Sequence, residues 1–411
     1  MSNMQEYHLI IKCLKEVYSG KNLKEVILKI DDNKYRNKIK NHCYQILRNH
    51  YSIKFILAEL LKKIPNQDIY LILQIGIYEL GYSIKPSYAV VNDLVNLTKK
   101  YNEKYKNLVN AVLQNYLRKK DLLKQKLIDY KIDVNLSNWL NEKIKEYYPN
   151  KYEQIFNAFN TDARITLRIN KRKINVEKYI EALEKSKIEY KIINGVIILE
   201  KENNVTSIPF FADGYVSIQD SAAQYISDLL VKYSIQPKKA LDACAAPGGK
   251  TCLLLENYDL DLIALDNSQS RLDKIRENTS RLDLDCKYIL ADAASKDWWD
   301  QKKFDFILAD VPCSAIGTIK KNPDIRVNRL EIDIPKFVEL QRKIVINLFD
   351  MLETDGYMLY VTCSILRDEN EDNIKWFTEN INEFNLIADI QILPDSYSDG
   401  LYYALIKKMS K

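Results

Sequence analysis

Two segments place thiols where an open sheet presents its reactive groups. Asp310-Val311-Pro312-Cys313-Ser314 follows an apolar run at 304–309, and Thr362-Cys363-Ser364 closes another at 357–362; both runs read as strands. Ligands of open α/β sheets lie beyond the carboxyl ends of the strands, so Cys313 and Cys363 face one crevice from neighbouring strands. An ionised thiol in such a crevice is a nucleophile able to add covalently to a substrate. Chain position does not rank the two. Cys13, Cys43, Cys252 and Cys286 fit core positions instead, because cysteine is among the most buried residue types.

A strand at 239–243 runs into Asp242-Ala243-Cys244-Ala245-Ala246-Pro247-Gly248-Gly249-Lys250-Thr251. Adjacent glycines after a strand let the backbone approach a ligand at a helix amino terminus. A P-loop would need glycine at 244, which is cysteine, and the G-x-G-x-x-G dinucleotide fingerprint is absent, so neither ATP nor NAD suits this turn. Strands at 261–265 and 286–291 end at Asp266 and Asp292. Asp266 stands where a carboxylate grips ribose hydroxyls, and Asp292 is placed to accept from an adenine amino group. Asp at a strand end also caps the following helix without any ligand, but acids at four ends (Asp242, Asp266, Asp292, Asp310) favour a binding crevice.

The elements that must position these groups divide the chain of 411 residues into three. Residues 1–127 are helical throughout: apolar residues recur at three and four spacing, as in Leu9, Ile10, Cys13 and Leu14, in Ile39, Cys43, Ile46 and Leu47, and in Leu71, Ile72, Ile75, Tyr78 and Leu80. Ser83-Ile84-Lys85-Pro86 breaks one helix, and a final one spans Asn107 to Lys120. Its closing Arg118-Lys119-Lys120 suits either phosphate or a helix carboxyl end. Residues 128–209 form a small α+β module with strands at 165–169, 190–193 and 196–199 and a helix over 176–185. Residues 210–411 alternate strand and helix in the manner of a parallel α/β sheet, each strand followed by a turn and a helical stretch.

Charge is split along the chain: residues 1–200 hold 36 Lys and Arg against 22 Asp and Glu, whereas 201–411 hold 25 against 34. A basic arm that meets a polyanion accounts for this, and so does a lysine-rich solvated surface. Arg168-Ile169-Asn170-Lys171-Arg172-Lys173 is a basic loop beside the small sheet, equally an RNA contact or a solvated turn. The seven cysteines include no C-x-x-C pair, and the three histidines all lie within the first fifty residues, so neither a disulfide framework nor a zinc site is supported. No run of about 18 uncharged apolar residues occurs, and the start MSNMQEYHLI lacks the layout of a signal peptide, which leads to the expectation of a cytoplasmic protein without membrane contact.

Taken in order, DACAAPGGKT at 242–251, DVPCSAIG at 310–317 and TCS at 362–364 resemble the motifs of the RNA 5-methylcytosine methyltransferases of the RsmB (Sun, Fmu) type. The resemblance extends to nearly the whole chain, since 1–127 is similar to that family's NusB-like RNA-binding domain, and Gln219-Asp220-Ser221 and Asp399-Gly400 match further segments. It implies a class I, Rossmann-like S-adenosylmethionine methyltransferase domain preceded by an all-α NusB-like domain and the small α+β module. It implies S-adenosylmethionine in a pocket of Cys244, Ala245, Ala246, Pro247, Gly248, Gly249, Lys250, Asp266, Asp292 and Asp310. Cys363 becomes the nucleophile, Asp310 the group that holds the base, and Cys313 a participant in release. Lys320-Lys321-Asn322-Pro323-Asp324-Ile325 matches a segment that usually begins with two arginines and a histidine; lysine keeps the charge without the planar fork. Expected RNA contacts are Arg168, Lys171, Arg172, Lys173, Lys320, Lys321 and Arg326. The implied partner of this monomer is small-subunit (16S) ribosomal RNA, met before subunit assembly is complete. Two alternatives remain: the same chemistry on transfer RNA or another ribosomal site, and an RNA-binding assembly factor without activity, which the undamaged motifs oppose.

Overall fold

The computed structural model describes residues 3–31, 33–201 and 204–410. The chain forms two compact units, one of Met1–Pro149 with Lys321–Glu331 and the other of Asn150–Lys320 with Ile332–Lys411.

The first unit is built from α1 (Asn3–Tyr18), α2 (Leu23–Leu28), α3 (Asn33–Arg48), α4 (His50–Leu60), α5 (Gln67–Tyr82), α6 (Ser87–Asn102), α7 (Lys106–Asp129) and α8 (Asn138–Tyr147). The periodic residues read from the sequence enter one core: Ile10, Cys13, Leu14, Ile39, Cys43, Ile46, Leu47, Leu71, Ile72, Ile75 and Leu80 are buried there, with Leu9 and Tyr78 half-buried at its margin. α5 is apolar on nearly every side and lies against α4, α6 and α7. Its Gly76 is required by that packing, because a Cβ would stand 2.5 Å from Leu113 and 3.1 Å from Leu94. Asn66 caps α5 by accepting from the Ile69 amide at 3.1 Å, and Pro86 sits at the amino cap of α6, as the break at 83–86 predicts. The expected end of α7 at Lys120 is corrected: Leu123 and Leu127 continue the buried stripe of Leu113 and Tyr116, so the helix runs nine residues further, and Arg118, Lys119 and Lys120 lie within it. The expected boundary at 127 therefore falls inside a helix, and the unit continues to Pro149.

Residues 321–331 also belong to this unit. Asp324 accepts from the Leu23 amide at 3.3 Å, and the Tyr51 hydroxyl donates to the Arg326 carbonyl at 3.0 Å. Arg326 itself is buried and donates to the Asn135 carbonyl. The expectation that Arg326 contacts RNA is corrected on that ground: its guanidinium is consumed by backbone carbonyls within the helical unit.

The second unit carries, in order, α9 (Tyr152–Asn160), β1 (Thr166–Ile169), α10 (Val176–Lys185), β2 (Tyr190–Ile193), β3 (Val196–Leu199), β4 (Val216–Ile218), α11 (Ser221–Lys232), β5 (Lys239–Ala243), α12 (Gly249–Asn257), β6 (Asp261–Asp266), α13 (Gln269–Leu282), β7 (Lys287–Leu290) and β8 (Phe304–Asp310). The turn α14 (Ile325–Asn328) belongs to the first unit; α15 (Ile334–Met351), β9 (Leu352–Thr362), α16 (Glu371–Asn380), β10 (Phe384–Ile392) and β11 (Leu401–Lys408) complete the second. β2-β3-β1-β4 is an antiparallel sheet. β4 lies beyond the expected boundary at 209 yet pairs with β1, Arg168 opposite Ser217, so the small module borrows a strand from the following segment.

The larger sheet has the order β10-β11-β9-β8-β5-β6-β7, parallel from β9 to β7, with β11 and β10 added antiparallel. Both faces are covered. Leu241, Ala243, Ile307, Ala309, Met358 and Tyr360 pack into one core, while Ala240, Phe306, Leu308, Leu359 and Val361 pack into the other. Period-two alternation with apolar residues on both faces is what a doubly covered parallel strand requires. No helix stands between β7 and β8, where the alternation predicts one; that stretch is made of turns around Trp298 and Trp299. Among the described residues no helix is long and apolar enough to cross a membrane.

Candidate active site

The carboxyl ends of β5, β6, β8 and β9 converge, and the glycine turn is the most constrained part of the crevice. Cys244 and Gly248 both adopt left-handed backbone, at φ 62° and 94°, and the Ala246–Pro247 bond is cis. A Cβ on Gly248 would stand 3.1 Å from the Ile275 backbone, so only glycine fits between the turn and α13. Ala245 donates to the Leu265 carbonyl at 2.9 Å, tying the turn to β6. Asp266, buried at the end of β6, accepts from the Ala246 amide at 3.3 Å and the Ser268 amide at 3.1 Å, with Arg271 at 3.3 Å. This carboxylate braces the turn. Asp292 is exposed beyond β7, one oxygen accepting from the Ala294 amide at 2.9 Å. Burial lifts the thiol of Cys244 well above its ordinary range, so that residue lines the turn as a neutral group.

The acids of β5 and β8 have unlike surroundings. Asp242 is fully buried, accepts from the Thr251 hydroxyl at 2.6 Å, and is pushed up to about 7 by burial. It supports α12 and does not face the crevice. Asp310 is partly open and holds Lys250 Nζ at 2.6 Å. Burial alone would lower the Lys250 ammonium, but the Asp310 carboxylate outweighs it and the net shift is upward. The sequence places Lys250 only in the cofactor turn; the fold adds a second relation, its pairing with Asp310 at the end of β8.

Cys313 and Cys363 come together as their strand positions predict. Their sulfur atoms are 3.3 Å apart, and the Cys363 amide lies 3.3 Å from Cys313 Sγ. Both are half-buried. The hydrogen bond to Cys363, together with burial, raises the Cys313 thiol well above its ordinary range. Behind the thiols, Gly317 donates to the Cys363 carbonyl at 3.0 Å and accepts from the Gly400 amide at 2.9 Å. A Cβ at Gly317 would meet the Gly400 oxygen at 2.1 Å, so the proline-cysteine segment and Asp399-Gly400 pack backbone to backbone here. The Asp399 amide in turn reaches Asp220 at 3.0 Å, so the Gln219-Asp220-Ser221 segment joins the same end of the sheet.

The basic residues expected at RNA are less uniform. Arg168 is a correction: it is buried, pairs with Glu256 through two bonds of 2.9 and 2.8 Å, and donates to the Gly249 carbonyl at 2.7 Å. Lys320 is another, buried with its ammonium on the Asp395 and Ser398 carbonyls at 2.9 Å each. A charge that has exchanged water for protein partners is not presented to phosphate. Arg172 is exposed and donates to the Glu256 and Tyr258 carbonyls, complementing the carboxyl end of α12. Lys173 donates to the Asp213 carbonyl at 2.9 Å and pairs with Asp283. Lys171 is exposed and Lys321 half-buried. The residue that sequence reasoning missed is Glu369, fully buried behind both thiols. It lies in Arg367-Asp368-Glu369-Asn370-Glu371-Asp372, a charged run that carries no signal of burial.

Similarity to known proteins agrees with this geometry. Residues 234–406 match the family model described as 16S rRNA methyltransferase RsmB/F, 136–206 the ferredoxin-like domain of RsmF/B-like methyltransferases, and 8–118 the NusB family. The chain is 35% identical over 382 residues to ribosomal RNA small subunit methyltransferase B of Pseudomonas putida, covering 87% of each protein. It is 34% identical over 385 residues to the protein of the same name from Shewanella oneidensis, covering 89% of each. Among solved structures, PH0851 superposes with a TM-score of 0.78 at 23% identity over 99% of both chains. NSun6 of Pyrococcus horikoshii superposes with a TM-score of 0.59 at 19% identity, covering 67% of this chain and 99% of that one. These two likenesses describe the fold. A glycine turn at a helix amino terminus, braced by Asp266, fits S-adenosylmethionine, the methyl donor of such enzymes. With its three matched segments and full-length relatives, the chain belongs to the RsmB/F family of 16S rRNA methyltransferases.

Proposed function

We propose that this protein methylates carbon 5 of a cytosine in small-subunit ribosomal RNA through a covalent adduct on Cys363. The observation that carries the reading is the pair of thiols 3.3 Å apart at the ends of β8 and β9, on the same end of the sheet as the Lys250–Asp310 pair. Carbon 5 of an intact cytosine is a poor nucleophile. Addition of the Cys363 thiolate to carbon 6 forms a sulfur–carbon bond and moves the ring electron pair onto carbon 5. Asp310 hydrogen-bonds the ring nitrogen or the exocyclic amine as that charge develops, and Lys250 fixes its carboxylate. S-adenosylmethionine, when bound by residues 244–250, Asp266 and Asp292, supplies the electrophilic methyl. Cys313 takes part in release: as its thiolate, its own proton having passed to solvent, it accepts the proton lost from carbon 5, whereupon the bond to Cys363 breaks and the ring double bond returns.

The base must be unstacked for its carbon 6 to be reached, which favours RNA met before subunit assembly is complete, in the cytoplasm. The names of the relatives, the NusB-family match at 8–118 and the excess of basic residues in the first 200 support ribosomal RNA over transfer RNA. Of the basic residues, Lys171, exposed to solvent, is the contact proposed for that RNA.

The test sets the two cysteines against each other. With substrate RNA and S-adenosylmethionine, Cys313→Ala should accumulate a protein–RNA adduct on a denaturing gel, and Cys363→Ala should form none and transfer no methyl. An adduct with Cys363→Ala alone would reverse the roles. Full methylation by Cys363→Ala would end the covalent reading.

A further inference from the structure

The two thiols reside on separate turns, and the residue after each is a serine. Ser314 and Ser364 are both fully buried, their hydroxyl oxygens 3.1 Å apart. Each hydroxyl donates to the same atom, Glu369 Oε2, at 2.5 Å. The other oxygen, Oε1, accepts from the Ser314 amide at 2.8 Å and from Gln341 Nε2 at 3.0 Å. Gln341 also donates to the Pro312 carbonyl at 3.0 Å, directly before Cys313. On the second turn, Asn370 accepts from the Thr362 hydroxyl at 2.6 Å and donates to the Ser364 carbonyl at 3.1 Å, bracketing Cys363. One carboxylate thus joins the backbone just after Cys313 to the side chain just after Cys363, with no bond to the crevice.

We propose that Glu369 is a positioning residue that holds the Cys313 and Cys363 turns in mutual register, so that attack and release are performed at one carbon framework. The inference rests on the covalent reading of Cys363 given above. A buried carboxylate normally finds a cation; here the contacts surrounding Glu369 are four neutral donors converging from β8, β9 and α15. Burying a charge among neutral donors is costly, and burial raises this carboxyl above its ordinary range despite them. A core that only needed stability would fill the place with an apolar side chain. What the carboxylate provides is four acceptor positions with fixed directions, two for hydroxyls from different turns, which no apolar group supplies.

The experiment compares Glu369→Ala, Glu369→Gln and Ser364→Ala in the full protein with two readouts. Diamide oxidises neighbouring thiols to a disulfide, and the rate of Cys313–Cys363 cross-linking, followed by peptide mass spectrometry, reports the register without any methyl transfer. Single-turnover methylation of substrate RNA reports the reaction. A misplacement of about 1 Å costs on the order of a hundredfold, so Glu369→Ala should lose about that much methylation, cross-link at least about tenfold more slowly, and bind S-adenosylmethionine as before. Glu369→Gln, which keeps the shape and lets the hydroxyls turn to accept, should restore most of both rates. Should Glu369→Ala fail to fold, Ser364→Ala decides, with both rates expected to fall. Wild-type cross-linking in a folded Glu369→Ala, or in Ser364→Ala when that variant decides, would overturn the proposal. Slower cross-linking with undiminished methylation would sink the covalent reading of Cys363 instead.

Discussion

Each unit buries a glutamate completely, and the two are treated in opposite ways. Glu79 in the helical unit gives one oxygen, Oε1, to the Tyr7 hydroxyl at 3.3 Å, His42 Nε2 at 3.0 Å and Lys85 Nζ at 2.7 Å. Burial pushes its carboxyl up, but the His42 and Lys85 contacts outweigh that and hold it at about 2. Glu369 in the catalytic unit meets neutral donors only, and burial wins. The first arrangement fixes a charge state and binds α1, α3 and α5 around it. The second fixes directions. A buried ion pair is a fastening whose strength depends on pH, whereas a carboxylate among hydroxyls and amides is a template whose value lies in geometry.

The comparison is tested most severely by a buried ion pair of the catalytic unit, Arg168 with Glu256. Both are nearly buried, the pairing is bidentate, and the guanidinium also holds the Gly249 carbonyl and Gln219. Arg168→Ala leaves Glu256 buried without its counter-charge, which typically costs about 3–5 kcal/mol, and should appear as a lower urea midpoint for the catalytic unit. S-adenosylmethionine affinity should fall as well, because Gly249 opens the cofactor helix. Loss of RNA affinity with stability intact would show that Arg168 reaches outward.

That residue also marks how far the sequence could be read. Strand ends were legible because topology brings every parallel strand's carboxyl end to one edge: Cys313, Cys363, Asp310, Asp266 and the turn at 244–250 needed only their strands to be located. The helical unit was legible through the spacing of Ile10, Leu14, Ile39 and Leu47. Charge was not. Arg168, Lys320 and Arg326 look like surface cations in the sequence, and all three turn inward because distant carbonyls and Glu256 accept from them. Glu369 was hidden for the same reason, its donors lying 55, 28 and 5 residues away in the chain. The antiparallel β10 and β11 were missed because a rule of alternating strand and helix has no place for a closing hairpin.

A smaller effect should separate charge from geometry in the helical unit. Glu79 is depressed from 4.5 to about 2, so its contribution is present above about 4.5 and lost as pH falls through the folded value. His42, raised by the same contact against the pull of burial, contributes fully below 6.5 and less as pH rises through its own folded value. Glu79→Gln should therefore cost about 2 kcal/mol at pH 6 and distinctly less at pH 3, in denaturant titrations of the helical transition. An equal cost at both pH values would mean that shape, not charge, matters at Glu79, and the contrast with Glu369 would disappear.

The smallest effect concerns Asp242, another buried acid of the catalytic unit, which accepts from the neutral Thr251 hydroxyl. Its carboxyl is raised from 3.8 to about 7, with burial as the main cause and the Thr251 hydroxyl opposing it. The sign is the reverse of that for Glu79: the folded state retains a proton that the unfolded chain releases, so stability is lost as pH rises from about 4 through about 7. Asp242→Asn keeps an oxygen for the Thr251 hydroxyl but never ionises. Relative to the wild type it should gain stability between pH 5 and pH 8, by about 1 kcal/mol once the weaker neutral hydrogen bond is set against the relief of a buried charge. Thermal melts of both proteins at the two pH values measure the difference directly. A relative loss on going to pH 8 would mean that Asp242 is ionised in the fold and held by a positive charge, Lys250 being the cation near enough to act on it. Asp242 would then belong with Glu79, among acids whose charge the fold requires.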